Sequence, residues 1–152
     1  MSDIFNQVSD KEIKQEYHKS FFLKSGDKIT SFNDAASHLT VLLSNNQCRE
    51  QFEVIFLNAA NCIITSKIRF KGSLKSSAVY PREILKKALE LDAASLIIAH
   101  NHTSGATKPS RDDIQITNKI KDACRTVDIC LHDHIIIAGK NGFYSFSDEG
   151  VL

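Results

Sequence analysis

The 152-residue sequence has no segment with the character of a membrane span or an export signal. Its N-terminus, MSDIFNQVSDKEIK, has no apolar core of signal-peptide length, and no apolar run approaches the length of a transmembrane helix. The sequence also has no C-x-x-C pair among its four cysteines, Cys48, Cys62, Cys124 and Cys130. We therefore expect a cytoplasmic protein whose cysteines are reduced, small core residues rather than disulfides or thiolate metal ligands.

Excess charge of either sign is missing as well. Lys and Arg number 19 and Asp and Glu number 18, so the formal net charge is only +1. Composition therefore gives no electrostatic case for binding nucleic acid or a membrane surface. Hydrophobic residues make up 42% and charged residues 24%, as is usual for a globular protein. Without repeats or an evident linker, residues 1–152 are predicted to form a single domain.

Segments typical of helices and strands alternate in the first half of the chain. EIKQEYHKSFFLKS fits an edge strand or a short helix, followed by a turn at Gly26 and Asp27. Asn33 or Asp34 can cap a helix over DAASHLTVLLSN. QFEVIFLN and NCIITSKIRF are typical of strands, and the residues from 58 to 61 between them suit a hairpin turn.

The second half continues the alternation. Pro81 suits the first turn of a helix over PREILKKALELD, and SLIIAH is typical of a strand buried on both faces. A further helix is predicted from about Ser110 to Arg125, followed by strands in HIIIAG and FYSF. Interleaved helices and strands predict an α/β (α+β) fold with a mixed sheet flanked by helices.

The most specific pattern in the sequence is H-x-H, seven residues, S-x-x-D, in the stretch AHNHTSGATKPSRDD. His100 and His102 end the SLIIAH strand, where alternate residues point to the same face and can reach one ion. The TSGATKP loop is long enough to bring Asp113, one turn into the next helix, over the strand end. Two imidazoles and a carboxylate are the ligand set of a catalytic zinc, which keeps a fourth position for water. The pattern predicts one zinc ion per chain.

Each part of this pattern also has a purely structural interpretation. S-x-x-D before an apolar-periodic segment is typical of a capping box, in which Ser110 bonds a backbone N–H and Asp113 favours the helix N-terminus. Two histidines at a strand end can form a polar cluster. Their occurrence together, at this spacing and beside a Gly/Pro loop, favours the metal site.

H-x-H-x(7)-S-x-x-D matches the motif of the JAMM (MPN+) metalloproteases. The surrounding segments REQFEVIFLNAAN, YPREILKKALELDAASLIIAHNHTSGATKPSRDDIQIT and DHIIIAGKNGFYSFSDEG resemble the RadC-type branch of that family. The resemblance covers the core region of about 30–152 and leaves 1–29 less certain. It implies a JAMM/MPN (cytidine-deaminase-like) architecture in a stand-alone form without the N-terminal helix-hairpin-helix region. Thr103 departs from the family, which usually has proline there.

The resemblance also implies an activity, the zinc-dependent hydrolysis of peptide or isopeptide bonds in an unidentified peptide or protein substrate. It carries over the three metal ligands named above and adds two catalytic residues, Glu50 and Ser110. Glu50 would take a proton from the attacking water and pass it to the leaving amine, and Ser110 would donate a hydrogen bond to the oxyanion. Glu53 is the rival of Glu50, and its place within the alternating strand matches the motif less well.

A second H-x-H occurs at His132, Asp133 and His134. In an extended strand both histidines share a face, so a second metal site has to be considered, although Asp133 would point the other way. We favour for Asp133 and His134 either a structural role or a role as the outer hydrogen-bond partner of a metal ligand, because metal-bound imidazoles usually need such a partner. His18 and His38 have no partner in the sequence and are expected on the surface or in a helix.

Other functions fit the sequence less well. Residues 100–102 read HNH, but HNH nucleases take their name from residues spread along a ββα unit and not from a contiguous tripeptide. A zinc deaminase needs H-x-E with a downstream P-C-x-x-C, and both are absent from the sequence. The alternative is a non-catalytic MPN scaffold or a DNA-repair-associated nucleic-acid-binding protein. The joint presence of the five motif residues favours an enzyme. A DNA-binding face would draw on a set of basic residues that we expect to be merely solvated: Lys67, Arg69, Lys71, Lys75, Arg82, Lys86 and Lys87.

Overall fold

The computed structural model describes residues 9, 11, 12, 15, 16, 19, 22–43, 48–66, 69–71 and 79–152, of which 69–71 are described by their backbone alone. From residue 22 onward the helices are α1 (Phe32–Leu43), α2 (Pro81–Glu90) and α3 (Arg111–Arg125). The strands are β1 (Gln51–Leu57), β2 (Ile63–Thr65), β3 (Arg69–Lys71), β4 (Ser95–Asn101), β5 (Cys130–Ile137) and β6 (Phe143–Ser145). The predicted mixed sheet flanked by helices is confirmed.

The strands form one sheet in the order β2-β1-β4-β5-β6, with β3 also paired to β1. β1 runs antiparallel to β2, β3 and β4, while β4 and β5 run parallel and β6 is antiparallel to β5. Phe52 pairs with His100 across β1 and β4, and Ile98 pairs with His134 across β4 and β5. This register brings both buried histidines to the centre of the sheet.

Helices cover both faces of the sheet. On one face α2 and α3 pack through Ile84, Ala88, Ile120 and Cys124 against the apolar side chains of β1 and β4. On the other face α1 packs its buried alanines and leucines against alternate residues of the same strands. All seven residues of β4 are buried as a result, which is why its sequence is almost continuously apolar.

A β-bulge interrupts the pairing of β4 and β5. Leu96 pairs with Leu131, but Ile97 pairs with Asp133, so His132 is an extra residue without a partner in the ladder. The ring of His132 is exposed, while Asp133 and His134 are buried. The bulge separates the two histidines of the second H-x-H.

The first helix begins earlier than predicted. The residue before it, Ser31, accepts a hydrogen bond from the backbone N–H of Asp34 through its hydroxyl oxygen at 3.2 Å. Asp34 instead reaches back and accepts from the backbone and hydroxyl of Thr30, at 3.1 and 2.5 Å. The predicted caps, Asn33 and Asp34, are therefore wrong: the Ser31 hydroxyl caps the helix, which starts at Phe32. The predicted end of the helix, residues 44 and 45, lies outside the described residues.

NCIITSKIRF, predicted as one strand, instead contains the two short strands β2 and β3, and residue 66 lies outside both. Most remaining element predictions are confirmed where the structure describes them. The turns at 24–27 and 58–61 close with backbone bonds from Asp27 to Lys24 at 3.0 Å and from Asn61 to Asn58 at 2.9 Å. In EIKQEYHKSFFLKS, residues 12, 15, 16 and 19 are helical and residues 22–25 are not; the rest of that segment, His18 included, lies outside the described residues. In the part of the chain that the structure covers, no helix is both long and apolar enough to cross a membrane.

The cysteine prediction is partly wrong. All four thiols are free, as expected, and Cys124 is fully buried. Cys62 is half-buried, whereas Cys48 and Cys130 are exposed. Cys130 is exposed because it begins β5 at the edge of the packed core, beside the bulge.

Candidate metal centre

His100 and His102 lie together at the carboxyl end of β4. His100 is the penultimate residue of the strand, and the backbone N–H of His102 continues the pairing by donating to the carbonyl of Ile137 at 2.9 Å. Their Nε2 atoms are 2.9 Å apart, and their ring centroids are 4.8 Å apart. The predicted common face of the two imidazoles is confirmed.

Asp113 reaches both rings from the first turn of α3. Its Oδ1 lies 3.1 Å from His100 Nε2, and its Oδ2 lies 3.2 Å from His102 Nε2. The same carboxylate accepts from the backbone N–H of Ser110 at 2.6 Å, while Ser110 Oγ accepts from the N–H of Asp113 at 3.1 Å. The capping box and the ligand arrangement therefore coexist, because the cap fixes the carboxylate that faces the histidines.

A directed chain of hydrogen bonds stands behind His100. The Thr117 hydroxyl donates to the carbonyl of Asp113 at 2.5 Å, so its oxygen must accept from His134 Nδ1 at 2.6 Å. His134 Nε2 then accepts from His100 Nδ1 at 2.9 Å. Because Nδ1 of His100 carries the hydrogen, the lone pair of its neutral ring is at Nε2 and faces Asp113.

His134 fits this chain as a neutral ring. It is completely buried and stacks on Phe146 with ring centroids 4.7 Å apart. Burial lowers the pKa of His134 well below its usual range, and charge on His100 adds to the effect. The predicted supporting role of His134 for a metal-bound imidazole matches this position.

The loop that follows His102 orients its ring as the ring of His100 is oriented, with the hydrogen on Nδ1 and the lone pair at Nε2. Its Nδ1 lies 2.7 Å from the carbonyl of Ala106, which can only accept, so Nδ1 carries the hydrogen. Gly105 turns the chain back at φ +76°, and a Cβ there would lie 2.9 Å from Asn141 Nδ2. The turn therefore requires glycine, and it presents the Nε2 lone pair of His102 to the site.

Three acceptor groups, from His100, His102 and Asp113, converge on one point of the site. In their neutral forms His100 and His102 present Nε2 lone pairs beside the Asp113 carboxylate, and the three ligand atoms lie within 4.8 Å of one another. Hydrogen bonding to Asp113 raises the pKa of His102 against its burial, and the charge of Glu50 also contributes. Burial would raise the pKa of Asp113, but the hydrogen bonds that His100 and His102 donate to it when their Nε2 atoms are protonated hold it far below its usual range. The cluster thus attracts a cation, either a proton or a metal ion.

This donor set fits zinc. Two imidazole nitrogens and one carboxylate oxygen are a common three-ligand set for a catalytic zinc ion, and each ring is held by a second hydrogen bond from its other nitrogen. A groove of about 230 Å³ opens beside the ligands, lined by Glu50, His102, Ser104, Ala106, Lys108, Ser110, Asp112 and Asp113. A substrate can therefore approach the candidate ligands through this groove.

Glu50 is held at this groove by an asparagine between the two histidines. Asn101 Oδ1 accepts from the backbone N–H of Gln51 at 2.6 Å, and its Nδ2 donates to the carbonyl of Arg49 at 3.0 Å. These bonds fix the backbone on both sides of Glu50. The rival Glu53 shares its strand face with Ile55, which packs on the α1 side, away from His100.

Sequence reasoning missed Asn101, Thr117 and the Ala106 carbonyl. Thr117 carries a usable signal, because it lies four residues after Asp113 and therefore on the same face of the helix. Asn101 stands between two candidate ligands, but its partners are backbone groups about 50 residues away. The Ala106 carbonyl has no signature in the sequence.

The second H-x-H does not form a metal site in the described structure. His132 is exposed and its Nε2 lies 3.0 Å from Asn61 Oδ1, whereas His134 is buried and its Nε2 lies 2.9 Å from His100 Nδ1. Asp133 accepts from the Ser145 hydroxyl at 2.6 Å and from the backbone N–H of Ser147 at 3.0 Å. Burial raises the pKa of Asp133. Its role is the structural one predicted, since it fastens the segment after β6 to β5.

Two further predictions can be compared with the structure. His38 is in a helix, as expected, but it is fully buried, and its Nδ1 accepts from the backbone N–H of Leu23 at 2.9 Å. Among the basic residues considered for a DNA-binding face, Arg82 pairs with Glu83 at 3.4 Å and Lys87 pairs with Glu90 at 3.5 Å. These exposed pairs are typical of a solvated helix surface.

Comparison with known proteins identifies relatives over most of the chain. A family model described as RadC-like JAB domain matches residues 29–151. The UPF0758 protein PBPRA0202 of Photobacterium profundum is 44% identical over 135 residues, which cover 89% of this chain and 59% of the relative. The UPF0758 protein CLL_A0562 of Clostridium botulinum is 47% identical over 132 residues, covering 85% and 57%. The chain thus spans a little over half the length of these curated relatives, whose names state no activity.

Proposed function

Because the chain belongs to the RadC-like JAB domain family, we propose that it is a zinc-dependent hydrolase that cleaves peptide or isopeptide amide bonds. One observation carries the proposal. His100 Nε2, His102 Nε2 and the Asp113 carboxylate converge at distances of 2.9 to 3.2 Å, and the partners of the two Nδ1 atoms assign the hydrogens of the neutral rings to those opposite nitrogens. Three acceptors without a donor between them call for a cation.

His100, His102 and Asp113 would hold the zinc ion. When bound, the ion supplies Lewis-acid chemistry and makes a water molecule acidic enough to attack a carbonyl near neutral pH. The protein's own contribution is orientation. The chain through His134 and Thr117 fixes one ring, the Ala106 carbonyl fixes the other, and the capping box fixes the carboxylate.

Glu50 is proposed as the proton carrier of the reaction. It lies half-buried at the groove, and its charge contributes to the raised pKa of His102, which supports its closeness to the ligands. From there its carboxylate would take a proton from the attacking water and return it to the leaving amine. Asn101 would keep the backbone around Glu50 in place during both transfers.

Ser110 is proposed as the donor to the oxyanion that forms on the attacked carbonyl. Its oxygen already accepts from the N–H of Asp113, so its single hydroxyl proton is available to donate. Ser110 is exposed and lines the same groove as Glu50. In another hydrolase, removal of one oxyanion donor costs about 2.7–4 kcal/mol of transition-state stabilisation.

The proposal is tested by the metal content of the purified protein. Protein prepared without chelator should contain one zinc per chain by elemental analysis, and His100→Ala, His102→Ala and Asp113→Ala should each lose it. His132→Ala is the matched control from the second H-x-H and should retain it. Absence of stoichiometric metal in the unaltered protein, or equal loss in the control, would remove the hydrolase proposal and leave the scaffold alternative.

Activity is tested separately, with a peptide library and branched lysine-linked peptides read by mass spectrometry. Zinc-loaded protein should cleave at least one class, and the Asp113→Ala variant should cleave none. A zinc-loaded protein that cleaves neither linear nor branched amides would contradict the assigned reaction while leaving the metal site intact.

A further inference from the structure

A second cluster of reactive side chains lies at the start of β5, at the opposite end of the strand from the metal centre. Cys130 Sγ is 3.6 Å from His132 Nδ1, and His132 Nε2 is 3.0 Å from Asn61 Oδ1. Cys130 and His132 are exposed. Cys130 pairs with Ser95, the first residue of β4, whereas His100 lies five residues further along. The cluster is therefore separate from the site proposed above.

The hydrogen-bond polarity of the cluster prepares the histidine to accept a proton from the thiol. Asn61 Oδ1 can only accept, so His132 Nε2 carries the ring hydrogen. The lone pair of the neutral ring is then at Nδ1, which faces Cys130 Sγ. A cysteine, a histidine and an asparagine in this order are an arrangement used for nucleophilic catalysis on unrelated folds.

The fold holds His132 and Asn61 in place. The bulge makes His132 an extra residue of β5, which turns its ring out of the ladder toward the turn that joins β1 and β2. Asn61 sits in that turn at φ 60°, and its carbonyl accepts from the backbone N–H of Ile29 at 3.0 Å. Asn58 braces the turn by accepting from the N–H groups of Ala60 and Cys62.

A hollow with room for a small molecule adjoins the two partners of the thiol group, His132 and Asn61, although Cys130 itself does not line it. His132 and Asn61 line a hollow of about 200 Å³ between β5 and the start of α1. Its wall is mixed, with apolar side chains such as Ile29 and Ile97 and polar groups from Asp133 and Ser147. A small, partly apolar molecule fits this lining better than a charged one.

We propose that Cys130 is a nucleophilic thiol that is modified by small soft electrophiles, with His132 as its general base and Asn61 as the residue that orients the base. In alkylation the sulfur forms a bond to carbon, the leaving group departs with its electron pair, and the thiol proton moves to His132 Nδ1. With a peroxide, sulfur bonds to one oxygen, the O–O bond breaks, and the departing hydroxide takes the proton and leaves as water. Cys130 then becomes a sulfenic acid.

The other cysteines provide comparisons within the same chain. Cys62 Sγ lies 3.9 Å from the carbonyl oxygen of Ala60, which cannot accept the thiol proton as a base. Cys124 is fully buried, and burial, with a contribution from Cys130, raises the pKa of its thiol to about 11. Cys48 is exposed. The cluster predicts that Cys130 reacts first among the four.

The test is the rate of alkylation by iodoacetamide at each cysteine of the folded, zinc-loaded protein, resolved by peptide mass spectrometry. His132→Gln should slow Cys130 by about tenfold, less than the roughly 10²–10⁴-fold typical of general bases because the pair is exposed. Asn61→Gly removes the amide and keeps the left-handed backbone accessible, and should also slow Cys130. Asn61→Asp retains an acceptor and should restore the rate.

The variants carry their own controls. Rapid alkylation of Cys124 would report unfolding, since that thiol is buried in the folded chain. The proposal is overturned if Cys130 reacts no faster than Cys48 and Cys62. It is also overturned if His132→Gln leaves the Cys130 rate unchanged, or if Asn61→Asp behaves like Asn61→Gly. Each of these results is independent of zinc content.

Discussion

The chain contains the pattern H-x-H twice, and the two pairs of histidines have different surroundings in the fold. His100 and His102 end β4 with their rings 4.8 Å apart, facing one aspartate. His132 and His134 occupy the same spacing in β5, but a bulge falls on His132 and turns one ring to the surface while the other is buried. Backbone register, rather than residue spacing, decides which pair can share an ion.

The copies are nevertheless connected. His134 Nε2 accepts from His100 Nδ1, so one member of the second pair orients a ligand of the first. The other member, His132, faces Cys130 and Asn61 instead. The bulge thus lets one strand serve two sites with neighbouring histidines.

The largest expected effect tests whether Glu50 or Glu53 is the base that acts beside His100 and His102. Glu50→Gln should keep the zinc ion and lower amide hydrolysis by roughly 10²–10⁴-fold, since an amide side chain cannot take the proton. The measurement is turnover of a cleaved peptide at matched zinc content. Full activity in Glu50→Gln, combined with loss in Glu53→Gln, would reverse the assignment of the base.

The next effect measures the link between the two pairs. Thr117→Val should weaken zinc binding by about 10–100-fold, because loss of an outer hydrogen-bond partner costs that much in other metal sites. The substitution keeps the shape of the side chain but leaves His134 Nδ1 without its acceptor. Affinity is measured by competition with a chromogenic chelator. His132→Gln is the control, and equal affinity in both variants would show that the chain behind His100 has no influence on the metal.

The affinity for zinc should depend on pH, because a proton and the zinc ion compete for the same nitrogen of His102. Hydrogen bonding to Asp113 raises the pKa of His102 above its ordinary value, and zinc needs that nitrogen unprotonated. Affinity should therefore be full above the raised pKa and fall as pH drops through it, in a window that starts above about 6.5. Calorimetry in buffers of different ionisation enthalpy would count the released protons. Affinity that is constant from pH 8 to 6 would contradict the assignment.

Local patterns predicted the convergence of His100, His102 and Asp113 because each of these residues is positioned by local geometry. Alternation along β4 puts His100 and His102 on one face, and the capping box fixes Asp113 in the first turn of α3. The bulge at His132 could not be predicted, since it depends on how β5 aligns with a strand 35 residues earlier. Asn101 was missed for the same reason, because its partners are backbone groups of another strand.

Caps show a finer limit of local reasoning. Ser31, Asn33 and Asp34 are all good capping residues within four positions, and propensity alone does not rank them. In the structure the Ser31 hydroxyl accepts from the N–H of Asp34, while the Asp34 side chain accepts from Thr30, the residue before the cap. Such a choice depends on where the preceding chain comes from, here the bridge between Lys28 and Cys62.

The smallest expected effect concerns the turn that follows the first H-x-H and has no counterpart after the second. The N–H of Gly105 donates to the carbonyl of His102 at 3.1 Å, so Thr103 is the second residue of a β-turn, where proline is favoured. Thr103→Pro, which introduces the residue expected there from the family resemblance, should raise the free energy of unfolding of the metal-free protein by about 0.4–1 kcal/mol, mainly by restricting the unfolded chain. Gly105→Ala, in the same turn, should lower it, because φ there is +76° and a Cβ would meet Asn141. Urea unfolding measures the free energy of unfolding of both variants. A lower value for Thr103→Pro than for the unaltered protein would mean that the N–H or the backbone angle of Thr103 is needed to hold His102 toward the site.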